Sequence, residues 1–272
     1  MNVAEQYETC ISFFDRLRHT QVRVLLLDYD GTLAPFTPDR MHAFPYPGIP
    51  ELISRIMATK TRVVLISGRS ARELLLLTGI QPQPEIWGSH GAERLFADGQ
   101  YEVDTPNAQH RLALQRARRT LIANGLSERI ESKPGSIAVH WRGLKSAQQN
   151  ALSTEVRRVC EPMVAEHGME LLPFDGGLEL RAPGKNKGDA VRSILSEAGD
   201  QATAAYLGDD QTDEDAFSAI KGRGLAVLVR SERRATMADT WLRPPDELLR
   251  FLRDWLRACG VEPGSAESGL TQ

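Results

Sequence analysis

Asp28 and Asp30 stand one residue apart, directly after the apolar run Val24-Leu25-Leu26-Leu27 and directly before Gly31 and Thr32. Two carboxylates at that spacing can belong to a solvated Asp-Gly turn, or they can hold a divalent cation and act on a phosphoryl group. Two other apolar runs also end in reactive side chains. Val63-Val64-Leu65-Ile66 ends at Ser67-Gly68, and Ala204-Ala205-Tyr206-Leu207-Gly208 ends at Asp209-Asp210, with Asp213 four residues beyond Asp209. Lys187 is a lone cation just ahead of a helix. Carboxylates gathered in one pocket repel one another unless a cation offsets them. Magnesium takes oxygen ligands and commonly pairs one or two carboxylates with substrate phosphate. A lysine, a serine hydroxyl and turn amides are suitable donors to that phosphate. In such a site Asp28, ionised without help, can be a nucleophile that forms an aspartyl-phosphate. Asp30 can protonate the leaving alcohol and later deprotonate the attacking water.

The elements around these residues place them on one edge. Uninterrupted apolar runs suit strands buried on both faces of a parallel sheet, and ligand chemistry in such sheets sits beyond the strands' carboxyl ends. Strands are expected at 22–28, 61–66, 204–207 and 225–229, with a short edge strand at Trp241-Leu242. Helices are expected at 3–19, 49–59, 188–198, 212–220 and from Pro245 onward, together with one opened by a capping box Ser70-Ala71-Arg72-Glu73. Thr212 and Asp215 have the same capping-box spacing. Pro35, Pro38, Pro45 and Pro47 make 34–47 an ordered loop on the active edge. Residues 85–103 read as a strand, a Gly88-Ser89-His90-Gly91 turn and a hairpin about Asp98-Gly99. The texture then changes. A helix at 107–124, strands at 129–132 and 136–142, a helix at 146–167 and strands at 169–173 and 177–182 form a self-contained αββαββ run. The expected organisation is an α/β core of residues 1–105 and 181–272, its parallel sheet flanked by helices, with an inserted α+β domain at 106–180.

Composition narrows the function classes. A net charge of −3 leaves no basic excess for nucleic acid, and no run approaches the length of a membrane span. The N-terminus lacks the basic-then-apolar pattern of a signal peptide, and 262–272 reads as a loose polar tail. Cys10, Cys160 and Cys259 are far apart and odd in number, so a cytoplasmic protein without a disulfide framework or zinc site is expected.

Asp28-Tyr29-Asp30-Gly31-Thr32-Leu33, Ser67-Gly68-Arg69, Asn186-Lys187-Gly188 and Gly208-Asp209-Asp210-Gln211-Thr212-Asp213-Glu214-Asp215-Ala216-Phe217 together resemble the four motifs of haloacid-dehalogenase (HAD) superfamily phosphatases. The resemblance implies Asp28 as nucleophile and Asp30 as acid/base. It implies magnesium held by the Asp28 carboxylate, the Asp30 backbone carbonyl and Asp209, with Asp210 and Asp213 in support. Gly31, Ser67, Gly68 and Lys187 would hold the phosphoryl group, and the insertion would be a C2-type cap. Within that superfamily the chain is similar to the trehalose-6-phosphate phosphatases. The extended fourth motif, the run Glu131-Ser132-Lys133-Pro134-Gly135-Ser136-Ile137-Ala138-Val139-His140-Trp141-Arg142, the run Leu178-Glu179-Leu180-Arg181-Ala182-Pro183, and the pattern from Thr236 to Trp255 carry that likeness. One departure is Trp141, where a smaller aromatic is common in the family. The resemblance implies that Glu131, Lys133 and Glu179 grip sugar hydroxyls, and Arg69, His90, His140 and Arg142 complete the candidate substrate-binding set. The implied partner is a small phosphorylated disaccharide bound by a monomer, with functional coupling to a trehalose-6-phosphate synthase.

Bland readings stand beside several of these. Without the resemblance, Glu131 and Lys133 read as a solvated pair on one strand face, and Ser67 as a Ser-Gly turn. His90 and His140 fit a core histidine or a site residue. Arg111, Arg116, Arg118 and Arg119 read as a solvated helix face. Alternative functions are dephosphorylation of sucrose-phosphate, glucosylglycerol-phosphate or mannosyl-phosphoglycerate, and a non-catalytic sugar-phosphate sensor.

Overall fold

The computed structural model describes residues 3–37, 39–174 and 176–262. Pro38 and the 263–272 stretch of the expected tail lie outside the described residues. Six strands pair in parallel: β1 (Arg23–Leu27), β2 (Arg62–Ile66), β3 (Glu85–Gly88), β10 (Thr203–Gly208), β11 (Gly224–Val229) and, at one edge, β12 (Thr240–Leu242). At the other edge β4 (Glu93–Leu95) and β5 (Tyr101–Val103) add an antiparallel hairpin. The order is β12-β11-β10-β1-β2-β3-β4-β5.

Both faces of this sheet are covered, which explains the unbroken apolar runs. Leu25 and Leu27 of β1 pack with α1 (Val3–His19), α2 (Ile49–Ala58), α3 (Ala71–Leu77) and α8 (Asp246–Ala258). Val24 and Leu26 point the other way, against α6 (Lys187–Ala198) and α7 (Glu214–Ile220). Strand pairing proceeds outward from β1 in opposite directions, through β2 on one side and β10 on the other. That reversal between β1 and β10 opens the crevice where doubly wound sheets bind ligands.

The chain leaves this sheet after β5 and returns at α6. Between them, β6 (Ile130–Lys133), β7 (Ser136–His140), β8 (Glu170–Phe174) and β9 (Gly177–Arg181) form an antiparallel sheet in the order β6-β7-β9-β8. The helices α4 (Ala108–Ala123) and α5 (Ser146–His167) cover one face, burying Leu114, Leu121, Ile137, Val156, Met163 and Leu180 in a separate core. The two crossings between the sheets run side by side, with Lys185 Nζ 3.1 Å from Asp104.

Two capping details differ from the sequence expectation. Ser70 Oγ accepts from Glu73 N–H, but the Glu73 carboxylate accepts from Arg40 instead of turning back to Ser70. The expected helix at 212–220 is a single 3-10 turn, Gln211–Asp213, followed by α7. Its capping box is Asp210 with Asp213, two residues before the Thr212/Asp215 pair of equal spacing. Burial decides between them: Asp213 is wholly buried where backbone amides need an acceptor, and Asp215 is exposed.

Candidate active site

Asp28 and Asp209 sit just beyond the carboxyl ends of β1 and β10, and their strands are in register, with Leu27 opposite Leu207. Asp28 N–H donates to Leu207 O at 2.8 Å, which holds the turn after β1 against β10. Asp28, Asp209 and Asp213 are all buried, and one carboxylate oxygen from each lies within 4.8 Å of the others. Gly31 makes this approach possible. Its φ is +81°, and a Cβ there would stand 2.2 Å from Asp209 Oδ2.

Lys187 opens α6 and reaches into the cluster. Its Nζ donates to Asp28 Oδ1 at 2.6 Å and to Asp213 Oδ1 at 2.7 Å. Burial opposes its charge, but Asp213 and Asp28 outweigh burial and hold its pKa above the usual lysine value. Burial pushes Asp28 up to about 7 against the pull of Lys187. Asp209 is pushed well above the carboxylate range by burial and then by Asp28 and Asp213.

Asp213 is fully engaged. Its carboxylate accepts from Lys187, from the Tyr206 hydroxyl at 2.5 Å, and from the N–H groups of Asp209 and Asp210. Asp209 is the opposite case. Neither of its buried carboxylate oxygens accepts a hydrogen bond among the described residues, and Arg230 Nη1 lies 3.8 Å away. Three buried carboxylates against one lysine, with two acceptor oxygens unused, suit a hard divalent cation. Asp210 stands outside this cluster, its carboxylate accepting from Gln211 N–H.

Asp30 also lies outside the three-carboxylate group. Arg69 grips its side chain with both arms of the guanidinium, Nε at 2.6 Å and Nη2 at 2.7 Å. Ser67, at the end of β2, is buried, and its Oγ accepts from Arg69 N–H. Gly68 lets the His90 ring close on this turn, since a Cβ there would meet the imidazole at 2.7 Å.

The small sheet faces these groups. Asp28, Asp30, Ser67, Gly68, Arg69, His90, Lys187, Asp209 and Asp210 line one cavity of about 280 Å³, and Glu131, Lys133, His140, Arg142 and Glu179 line its opposite wall. Lys133 and Glu131 do share a strand face, 3.7 Å apart, but their side chains are only 7% and 14% exposed. The solvated-pair reading therefore fails. Lys133 Nζ and Ser136 Oγ donate to Glu179 Oε1, and His90 Nε2 is 3.1 Å from Glu179 Oε2. Burial works against charge on both carboxylates. Lys133 and His90 nevertheless hold Glu179 well below its usual value, and His140, Lys133 and Arg40 hold Glu131 down to about 2. Burial lowers the pKa of His90 against the pull of Glu179, to which its Nε2–H donates. His140 is a cavity residue, with Nε2 2.9 Å from Glu131 Oε2 and its ring edge-on to Phe174. Arg111, Arg116, Arg118 and Arg119 are exposed on α4, away from the cavity.

The sequence reading missed Phe36, Arg40, Glu128, Arg129, Phe174 and Thr212 on the cavity wall. Phe36 and Arg40 lie in the proline-rich loop 34–47, where no local pattern marks a side chain for the site. The Arg142 guanidinium stacks 4.9 Å over the Phe36 ring, so this loop meets the turn that follows β7.

A family model described as trehalose-phosphatase matches residues 26–242. A probable trehalose-phosphate phosphatase C of Arabidopsis thaliana is 31% identical over 252 residues, which cover 84% of this chain and 75% of that protein. A trehalose-phosphate phosphatase of Mycobacterium marinum is also 31% identical, over 84% of this chain but only 60% of its own length. Among solved structures, the C-terminal domain of a Candida albicans trehalose-6-phosphate phosphatase superposes with a TM-score of 0.72 at 20% identity, covering 93% of this chain and 97% of that one. A Bacteroides thetaiotaomicron phosphatase of the HAD enzyme superfamily does so at 0.56 and 16% identity, covering 88% and 95%. These two structural likenesses concern the fold.

Proposed function

The chain belongs to the trehalose-phosphatase family, and from that membership we propose that it hydrolyses trehalose 6-phosphate to trehalose and phosphate. The observation that carries the reading is the single cavity with two unlike walls. One wall has the strand-end carboxylates, Ser67 and Lys187, and the other has Glu131, Lys133 and Glu179. The first wall is suited to a phosphoryl group and the second to sugar hydroxyls.

Asp28 is the proposed nucleophile. Lys187 and the more distant Thr32 hydroxyl, at 3.3 Å, fix its two oxygens. Attack on phosphorus forms the aspartyl-phosphate and releases the sugar oxygen, which takes a proton from Asp30. Asp30 then accepts a proton from the water that attacks the intermediate, and Asp28 and phosphate are regenerated. One Asp30 oxygen must leave Arg69 for each proton transfer. Ser67, the amides of the Gly68 turn and Lys187 hold the phosphoryl oxygens. A magnesium ion, for which Asp28, Asp209 and the Asp30 carbonyl are the proposed ligands with Asp213 and Asp210 behind them, would supply further charge stabilisation. The small sheet with α4 and α5, residues 106–180, is the proposed cap, which orients the disaccharide and excludes bulk water.

The deciding experiment is phosphate release from a panel of trehalose 6-phosphate, sucrose-phosphate, glucosylglycerol-phosphate and mannosyl-phosphoglycerate, with and without magnesium. Magnesium-dependent release with preference for trehalose 6-phosphate is expected. Preference for another member would reassign the substrate, and no release from any would turn the reading towards a sensor.

A further inference from the structure

Arg40 lies in the loop between β1 and α2, on the cavity wall but outside the carboxylates and phosphate-holding groups assigned to the chemistry. Its guanidinium joins a carboxylate on α3, which packs on the large sheet, to a carboxylate on the small sheet. Nη2 donates to Glu73 Oε2 on α3 at 2.6 Å and to Glu131 Oε1 on β6 at 2.8 Å, and Nη1 stands 2.6 Å from Glu131 Oε2. Behind this fork, the Arg40 carbonyl accepts from Arg69 Nη1 at 2.7 Å. The remaining two arms of Arg69 are those that grip Asp30. A continuous chain of hydrogen bonds thus runs from Glu131 through Arg40 and Arg69 to Asp30.

An exposed ion pair would carry little meaning. This one is bidentate at Glu131, the Glu131 and Arg40 side chains are 14% and 27% exposed, and Arg69 is buried. Holding Glu131 with both nitrogens of the planar fork while Nη2 also reaches Glu73 requires α3 and the small sheet to stand close together. The geometry of the fork therefore registers where the small sheet stands. We propose that Arg40 is a positioning residue, a latch that couples closure of the small sheet over the phosphorylated sugar to the hold of Arg69 on Asp30. The coupling rests on the function proposed above. With the small sheet closed, Arg40 is pinned between Glu131 and Glu73, and its carbonyl fixes Arg69. With the sheet away, Glu73 alone holds the arginine, and the loop and the Arg69 fork lose their fixed station.

The test compares two substrates. Trehalose 6-phosphate needs both the small sheet and a proton at a poor leaving group. Nitrophenyl phosphate leaves without protonation and spans too little to engage the sheet, so its whole turnover, including the water step at Asp30, runs with the latch unmade whether or not Arg40 is present. Arg40→Ala is expected to lower kcat on trehalose 6-phosphate by at least about tenfold, with a smaller change in KM, and to change nitrophenyl phosphate turnover by less than about twofold. Arg40→Lys, which keeps the charge but lacks the fork, should recover only part of the loss. The double variant Arg40→Ala/Glu131→Gln should be no slower than Glu131→Gln alone, because both changes break one interaction. Equal losses on both substrates, full recovery by lysine, or additive losses in the double variant would overturn the latch. Wild-type protein that turns over nitrophenyl phosphate but not trehalose 6-phosphate would overturn the substrate reading and the coupling together. Wild-type turnover of both, with Arg40→Ala unchanged on trehalose 6-phosphate, overturns the latch alone.

Discussion

Asn at position 28 would keep the shape of the side chain and remove the charge of the proposed attacking oxygen. Asp28→Asn is expected to reduce phosphate release by at least about a thousandfold while leaving the circular dichroism spectrum unchanged; release within tenfold of wild type would exclude Asp28 as nucleophile. Asp209 offers a different measurement. Its two buried oxygens accept no hydrogen bond among the described residues, so its charge is a burden until a cation offsets it. Millimolar magnesium should raise the melting temperature by a few degrees. Asp209→Asn should itself melt higher than wild type without metal and lose the magnesium increment, and an increment that survives would place the ion elsewhere. Sequence made Asp28, Asp209 and Lys187 legible because each closes or opens an element that its neighbours identify. It left Arg40 and Arg69's grip on Asp30 invisible, since both depend on side chains far apart in sequence meeting across a loop. Glu131 and Lys133 were readable as a same-face pair, but their burial was not, because it comes from the large sheet that closes over them.

At the level of turns and helices, the two features that matter most are the Gly31 turn and the α8 packing. Gly31→Ala would put a methyl group against Asp209 at a positive φ, costing about 1–2 kcal/mol of strain and displacing the carboxylate. Loss of most turnover with retained fold is expected; wild-type activity would show that the turn relaxes freely. Trp255 is wholly buried on α8, and its indole N–H donates to Thr61 Oγ1 at 3.2 Å. Trp255→Ala should cost about 3–5 kcal/mol, measured by denaturant unfolding, with kcat of the folded fraction unchanged. Element positions were largely legible because buried strands and two-sided helices leave strong patterns. Caps were less so: Ser70/Glu73 and Thr212/Asp215 had suitable spacing, but Arg40 captured Glu73, and buried Asp213 outcompeted exposed Asp215.

Across the whole molecule, the two sheets are tied by ionic contacts with different acid sensitivities. Glu131 is held down to about 2 from a usual value of 4.5, so its contribution to stability is complete above about 4.5 and is lost as the pH falls toward 2. Stability measured across that interval should decline in the wild type, and Glu131→Gln should flatten the decline; an unchanged slope would show that other carboxylates govern it. The boundary between the two sheets was legible as a change of rhythm after residue 105, whereas their mutual contacts were not, because no local pattern records them. The side-by-side crossings at Asp104 and Lys185 have a consequence for how such proteins diversify. The excursion from β5 to α6 begins and ends at nearly one point, so it can be exchanged for another of different size without changing the strand order beneath it. On the function proposed above, choice of sugar can then drift while the proposed catalytic carboxylates stay fixed, provided that a transplanted segment brings acceptors for Arg40 and His90. Those two side chains are the grammar that a chimaera of this family must obey.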